Sequence, residues 1–178
     1  HHTCLATPGD PVHTGGMIGH PPLATQRLIL RPLAPEHAPA LHAVFSDPVA
    51  MQHWHTPPHA ELAETRALVE HLRSGSERAW AVQPRGGGTV GLIYYLGNSG
   101  APGLGYILAA DLWGQGLMGE ALRSVLDYGF ARLQLDRVEL WIDTANIRSR
   151  RLAERGGFTR RGAFRQHQPH RPAAHETL

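Results

Sequence analysis

The run Leu104-Gly105-Tyr106-Ile107-Leu108, then Ala109 to Trp113, then Gly114-Gln115-Gly116-Leu117-Met118-Gly119-Glu120-Ala121-Leu122 decides how this chain is read. An apolar strand pattern enters a glycine-rich turn, and the turn opens a helical pattern from about Gly116 to Leu133. Glycines let backbone N–H groups face a ligand with no side chain in the way. The helix start adds the positive end of a dipole. Together they suit a pyrophosphate or another anion. Residues alone leave a second reading open, a tight strand-to-helix turn with no ligand.

The same glycines spell G-x-G-x-x-G, with Asp143 at the end of the following strand. A dinucleotide fold would pass from the strand straight into the first glycine. Here five residues intervene, Leu112 and Trp113 among them, and too little chain follows Asp143 for a doubly wound sheet. The sequence has no Gly-Lys-Ser/Thr, which excludes a P-loop.

Working outward, Arg27 to Pro32 reads as a first strand and Pro35 to Phe45 as a helix. Met51 to Pro58 is an aromatic, histidine-rich loop, and Ala60 to Leu72 a second helix that Gly75 stops. Ala79 to Val82 and Thr89 to Leu96 form a hairpin about Pro84-Arg85-Gly86-Gly87-Gly88. Asn98 to Pro102 is a turn before the strand Gly103 to Leu108. After the long helix come a strand from Arg137 to Asp143, a short helix from Ile147 to Arg155, and a strand starting at Phe158. The meander implies antiparallel pairing and the later helices imply crossovers, so a mixed α/β sheet in one domain is expected. Residues 1–22, rich in Gly, Pro, His and Thr, read as a disordered leader or tag remnant, and residues 23–178 as the single domain.

Of 178 residues, 42% are hydrophobic and 18% charged, the balance of an ordinary globule. No apolar run reaches membrane-spanning length and no signal segment opens the chain, so a cytoplasmic protein without a membrane partner is expected. The lone Cys4 rules out an internal disulfide and a cysteine zinc cluster. The net charge of +2 is carried without any lysine, which fits a pocket for an anionic cofactor. Arg148, Arg150, Arg151, Arg155, Arg160, Arg161 and Arg165 cluster. A nucleic-acid face is the weaker reading of them, beside solvated arginines near a cofactor phosphate. His53, His55 and His59, and His167, His170 and His175, are close in sequence, but no H-E-x-x-H accompanies them and no metal site is assigned.

Three stretches resemble the GNAT superfamily of N-acetyltransferases, and within it the Rim-type enzymes that acetylate N-terminal amines of ribosomal proteins. Thr25-Gln26-Arg27-Leu28-Ile29-Leu30-Arg31-Pro32-Leu33 looks like the opening strand. Gly105 through Trp113-Gly114-Gln115-Gly116 to Leu122 looks like the cofactor loop and helix, and Asn146-x-x-Ser149 with Glu154-Arg155-Gly156-Gly157-Phe158 like the closing motif. The resemblance implies a mixed, mostly antiparallel central sheet flanked by helices, with splayed central strands. It implies acetyl-CoA as acyl donor, held along the backbone of Ile107 and Leu108 and by the loop Trp113, Gly114, Gln115, Gly116, Leu117, Met118, Gly119 and Glu120. Asn146 is then a pantetheine ligand and Ser149 a general acid. It further implies an amine acceptor, with a protein N-terminal α-amine as the family-led choice, and a homodimer. Trp113 stands where the family carries Gln or Arg, and Met118 where a small residue is usual. The chain ends at His175-Glu176-Thr177-Leu178, where the family would begin its last strand, so that strand is expected short or absent.

A thioester is already activated, so the site must position the amine, deliver it unprotonated, and stabilise the oxyanion and leaving thiolate. Strand N–H groups near Ile107 or Leu108 are the oxyanion donors. Asn146 and Ser149 also read as plain helix caps. His53 and His55 lie on the loop that borders the acceptor pocket in the family, and His53 is the candidate base, against a bound water or a solvated loop histidine. A non-catalytic CoA-binding regulatory module is the alternative of another class.

Overall fold

The computed structural model describes residues 19–75, 78–97, 102–168 and 171–177. In chain order the elements are β1 (Leu23–Ala24), β2 (Leu28–Pro32), α1 (Ala38–Phe45), α2 (Leu62–Ser74), β3 (Ala79–Pro84), β4 (Gly91–Leu96) and β5 (Gly103–Leu108). Then follow α3 (Leu117–Arg132), β6 (Trp141–Asp143), α4 (Ile147–Arg155), β7 (Gly162–Gln168) and β8 (Arg171–Thr177).

Strand alternation builds a core on both faces of the main sheet. Leu28 and Leu30, Trp80 and Val82, Ile93 and Tyr95, and Leu104 and Leu108 point to one side. They pack on Leu117, Met118, Ala121, Leu122 and Val125 of α3 and Ala153 of α4. Ala79 and Ala81, Leu92 and Tyr94, and Ile107 point to the other, against Leu41, Val44 and Phe45 of α1 and Val69 and Leu72 of α2. Helices thus cover each face of a five-stranded antiparallel sheet in the order β1-β2-β3-β4-β5.

The sheet opens beyond β5. The N–H of Leu104 bonds the Glu139 carbonyl at 2.9 Å, and the N–H of Glu139 bonds that of Pro102 at 3.0 Å. Past this single parallel rung the chains part. β5 runs on in the first sheet, while β6 joins a second sheet of order β6-β8-β7. These are the splayed strands expected.

Beyond shifts of a residue or two at element ends, three expectations are corrected. The strand foreseen over Arg137 to Asp143 is cut to Trp141–Asp143, because its first half has only the rung at Glu139 before the splay. No strand starts at Phe158. Its N–H bonds the Ala153 carbonyl at 3.1 Å, and that of Gly157, at φ +87°, bonds Glu154 at 3.1 Å. Phe158 therefore belongs to a Schellman stop of α4, and β7 begins at Gly162. Finally, the last strand is present: β8 lies between β6 and β7 and pairs with both.

Of the leader foreseen over 1–22, residues 1–18 lie outside those described. His20 Nε2 lies 2.7 Å from the Ala79 carbonyl, and Trp80 Nε1–H donates to the Pro21 carbonyl at 3.0 Å. The Asn98–Pro102 turn is described only at Pro102, and the side chains of Arg165, His167, His170 and His175 are also outside the description. No described helix is long and apolar enough to cross a membrane.

Candidate active site

The splay leaves a cleft of about 1200 Å³ between β5 and β6, roofed by the heads of α3 and α4 and by the loop before α2. Every residue expected from sequence to bind the cofactor or to act in catalysis lines it except Gln115.

At one end is the glycine turn. Gly114 and Gly116 hold φ of +77° and +78°, a left-handed conformation costly for other residues. Gly116 caps α3 with no side chain, so the first helical N–H groups are left for a ligand. A Cβ on Gly119 would meet nothing within 4 Å, so that face of the helix is open to close approach. Arg123 and Arg155 line the same cleft, as does Arg148, whose guanidinium lies 3.4 Å over the Trp113 ring. Unfilled backbone donors, an open cradle and cations fit the phosphates of a coenzyme A.

Glu120, on the cleft wall, is engaged by the protein itself. Its carboxylate takes the Arg27 N–H and Nε–H, each at 2.7 Å, and the Thr25 hydroxyl. Arg27 also donates to the Gln115 carbonyl at 2.9 Å. The pair ties the turn to the start of β2. Burial pushes the Glu120 carboxyl up, but these hydrogen bonds and the Arg27 charge outweigh it and hold it below the usual value. Met118 is buried in the α3 core, so its bulk is spent on packing.

Along β5, N–H direction alternates. The Ala109 N–H bonds Val90 at 2.8 Å on the β4 side, and that of Leu104 bonds Glu139 on the β6 side. By this parity the Ile107 N–H faces β4, and those of Tyr106 and Leu108 face the cleft. Of the two oxyanion donors foreseen, only Leu108 is correctly aimed. The Trp113 indole N–H caps the Leu108 carbonyl at 2.9 Å.

At the head of α4, the Asn146 side chain accepts the Ser149 N–H at 3.1 Å and so caps the helix, while both residues line the cleft. The Tyr106 hydroxyl is buried beside Ser149; burial pushes the phenol up to about 12, with Ser149 pulling the other way.

The far end is built from the loop after α1. Met51 is buried in the core, Trp54 meets the Phe45 ring edge-on at 5.5 Å, and His59 stacks on it at 5.0 Å. These anchors swing His53 over the cleft, where Nδ1 sits 3.1 Å from Asp143 Oδ2. The other Asp143 oxygen accepts the Ala145 N–H at 2.9 Å. His55 also lines this end, its pKa lowered by burial. Asp143 is the functional residue that sequence reasoning missed. It figured only as the acid of a dinucleotide pattern, and nothing local links it to His53. Among described residues no cluster could hold a metal ion.

The architecture is that of an acyl-transfer domain, and the chain matches the family description "Acetyltransferase (GNAT) domain" over residues 27–159. It belongs to the GNAT acetyltransferase family, and is thus an acyltransferase with acetyl-CoA as donor. It is 27% identical to the uncharacterized N-acetyltransferase p20 of Bacillus licheniformis, over 82% of this chain and 86% of that one. It is also 27% identical to the spermidine N(1)-acetyltransferase of Escherichia coli K12, over 75% and 73%. A GNAT-family acetyltransferase of Bacillus anthracis superposes with a TM-score of 0.79 at 23% identity, covering 88% of this chain and 95% of that one. RimL, a ribosomal L7/L12 alpha-N-protein acetyltransferase in complex with coenzyme A, gives 0.77 at 21% identity over 88% and 95%.

Proposed function

We propose that this protein transfers acetyl from acetyl-CoA to a lone amine, of which a peptide N-terminal α-amine is the best fit, with His53 as base. The observation that carries this is the His53–Asp143 pair, set in the same cleft as Ser149 and the glycine turn.

When bound, acetyl-CoA supplies an activated thioester whose C–S bond breaks as the C–N bond to the acceptor forms. The turn from Gly114 to Gly119, with Arg123, Arg148 and Arg155, holds the phosphates. Asn146 keeps one amide N–H group free for the pantetheine arm while its oxygen caps α4. A carboxylate only accepts, so Asp143 keeps the His53 proton on Nδ1 and leaves Nε2 to take the proton of the amine. The Leu108 N–H receives the charge developing on the carbonyl oxygen. Ser149 Oγ–H donates to the departing sulfur. The thiol takes its proton from Ser149, Ser149 regains one from solvent, and His53 releases the amine's proton to solvent, so the enzyme ends as it began.

Charge favours a lone amine over a polyamine. The acids on the cleft wall among the described residues are Glu120 and Asp143, and both are engaged, by Arg27 and His53. A polycation would find no further carboxylate there. An α-amine titrates near ~7.7–8.0, within reach of a histidine base.

The test is calorimetric titration with acetyl-CoA, then thiol release with a panel of N-terminal peptides, monoamines and spermidine. Peptide-dependent release that His53→Ala abolishes supports the reading. Spermidine as the best acceptor would overturn the choice of acceptor. Binding with no release from any amine would favour a regulatory CoA-binding module.

A further inference from the structure

The acceptor end of the cleft has walls that the transfer steps leave unused. On β6 the buried Ile142 packs into the α3 and α4 core, so alternation turns Trp141 and Asp143 to the opposite face. Asp143 there holds His53, and Trp141 stands two residues away, about 7 Å along the strand. On β4 and β5 the same face carries Tyr94, Leu96 and two glycines, Gly103 and Gly105. A Cβ on Gly105 would meet the Tyr94 Cζ at 2.7 Å, so the bare glycine lets that ring lie against the strand. The loop after α1 adds Trp54. Trp141 is 55% exposed and Leu96 43%, although both line the cleft. Large apolar side chains left to water inside a ligand cleft mark where an apolar part of the ligand is buried. Glu120 and Asp143, the acids on this cleft wall among the described residues, are both engaged, so the wall suits an apolar group and not a second cation.

We propose that Trp141, Trp54 and Leu96 form a subsite for a large apolar side chain, aromatic by preference, borne by the carbon next to the acceptor nitrogen. The proposal rests on the transferase reading above, with the amine at His53. It narrows the acceptor to amines of apolar skeleton, such as peptides that open with phenylalanine. With the nitrogen at His53, such a side chain reaches back along β6 to the Trp141 indole. Offset or edge-on contact between the rings then adds to the gain from the area buried. A short or charged first side chain leaves the indole in water and gains neither.

The experiment follows thiol release from acetyl-CoA by the intact chain, with peptides that differ only in a first residue of Phe, Ala, Asp or Lys. Ethylamine and 2-phenylethylamine make the same comparison without a peptide. The expected result is a kcat/KM about tenfold or more higher for Phe than for Ala, and for 2-phenylethylamine than for ethylamine, as the burial of an aromatic side chain implies. Trp141→Ala, its fold checked by a matched melting temperature, removes most of that preference. The ratio in the parent protein needs no variant and decides by itself if the variant does not fold. Equal values for Phe and Ala, a charged first residue as the best acceptor, or a preference that survives in Trp141→Ala would overturn the subsite while leaving the transferase reading standing. A preference between the two monoamines with no release from any peptide would keep the subsite and overturn the peptide as acceptor. No release from any amine would overturn both.

Discussion

His53 Nδ1 and Asp143 Oδ2 meet at 3.1 Å, although 90 positions separate the residues. One comes from a loop pinned to α1 by Trp54 and His59, the other from the turn that ends β6. The contact ties the acceptor loop to the edge of the splay, and both side chains are largely shielded from solvent. His53→Ala is expected to lower kcat by about 10²–10⁴ while leaving the dissociation constant for acetyl-CoA unchanged. Asp143→Asn should give a smaller loss with an altered pH profile, because the amide can present either a donor or an acceptor to Nδ1. Steady-state kinetics and calorimetry on the two variants check both, and unchanged kinetics in His53→Ala would sink its role as base.

The link from Arg27 to Glu120 and Gln115 ties down the glycine-turn end of the cleft. Arg27 is about half exposed, so Arg27→Ala should cost the fold only about 0–1 kcal/mol. Affinity for acetyl-CoA should fall more clearly, since the Gln115 carbonyl loses its anchor. Melting and binding measured side by side separate the two effects. Equal binding in the variant would mean that the turn holds its own shape.

Gly116 tests the turn from within. Its φ of +78° predicts that Gly116→Ala destabilises the protein by about 1–2 kcal/mol and weakens acetyl-CoA binding. Denaturant unfolding reads the first and calorimetry the second.

Arg148 is expected to supply the cation that Trp113 does not. Arg148→Ala should weaken acetyl-CoA binding and flatten its dependence on salt. A salt dependence identical to that of the parent would assign Arg148 to packing on the indole alone.

Acid should loosen the acceptor side. Burial lowers the pKa of His20, His37, His55 and His59 below 6.5. A histidine depressed in the fold binds its proton more readily when unfolded. Its contribution to stability is therefore present above the unfolded value near 6.5 and lost as pH falls through the lower folded values. His59 shares the buried Thr65 hydroxyl with His42, so charging the His59 ring sets a cation at the joint between α1 and α2. Melting temperature should drop between pH 7 and 5, less so in His59→Gln. A flat profile would contradict this.

What sequence could show follows the range of each interaction. The limits of α4, Ile147–Arg155, were legible in full because an Asn cap and a Gly-Gly stop are local chemistry. The β3–β4 hairpin and the turn into α3 were legible for the same reason. The shortened β6 was not, since pairing at Glu139 ends where two strands diverge, a property of neither strand alone. Phe158 carried a strand-like side chain, but its backbone closes a helix. At the site, residue types singled out the glycine turn and His53, whereas the contact of His53 with Asp143 needed the fold to bring the loop after α1 over the end of β6, and the aim of the Leu108 N–H needed the register of β5.

The donor on Leu108 and the bare N–H groups at the start of α3 belong to the main chain. No exchange of side chain, proline apart, can delete them. Recognition of the acyl donor is in that sense insulated from sequence drift, and requires little beyond room at the glycines. The opposite end of the cleft, made by the side chains of Trp54, His55 and Trp141, has no such insurance. Divergence within this architecture should therefore replace the acceptor many times over while the acyl donor stays the same.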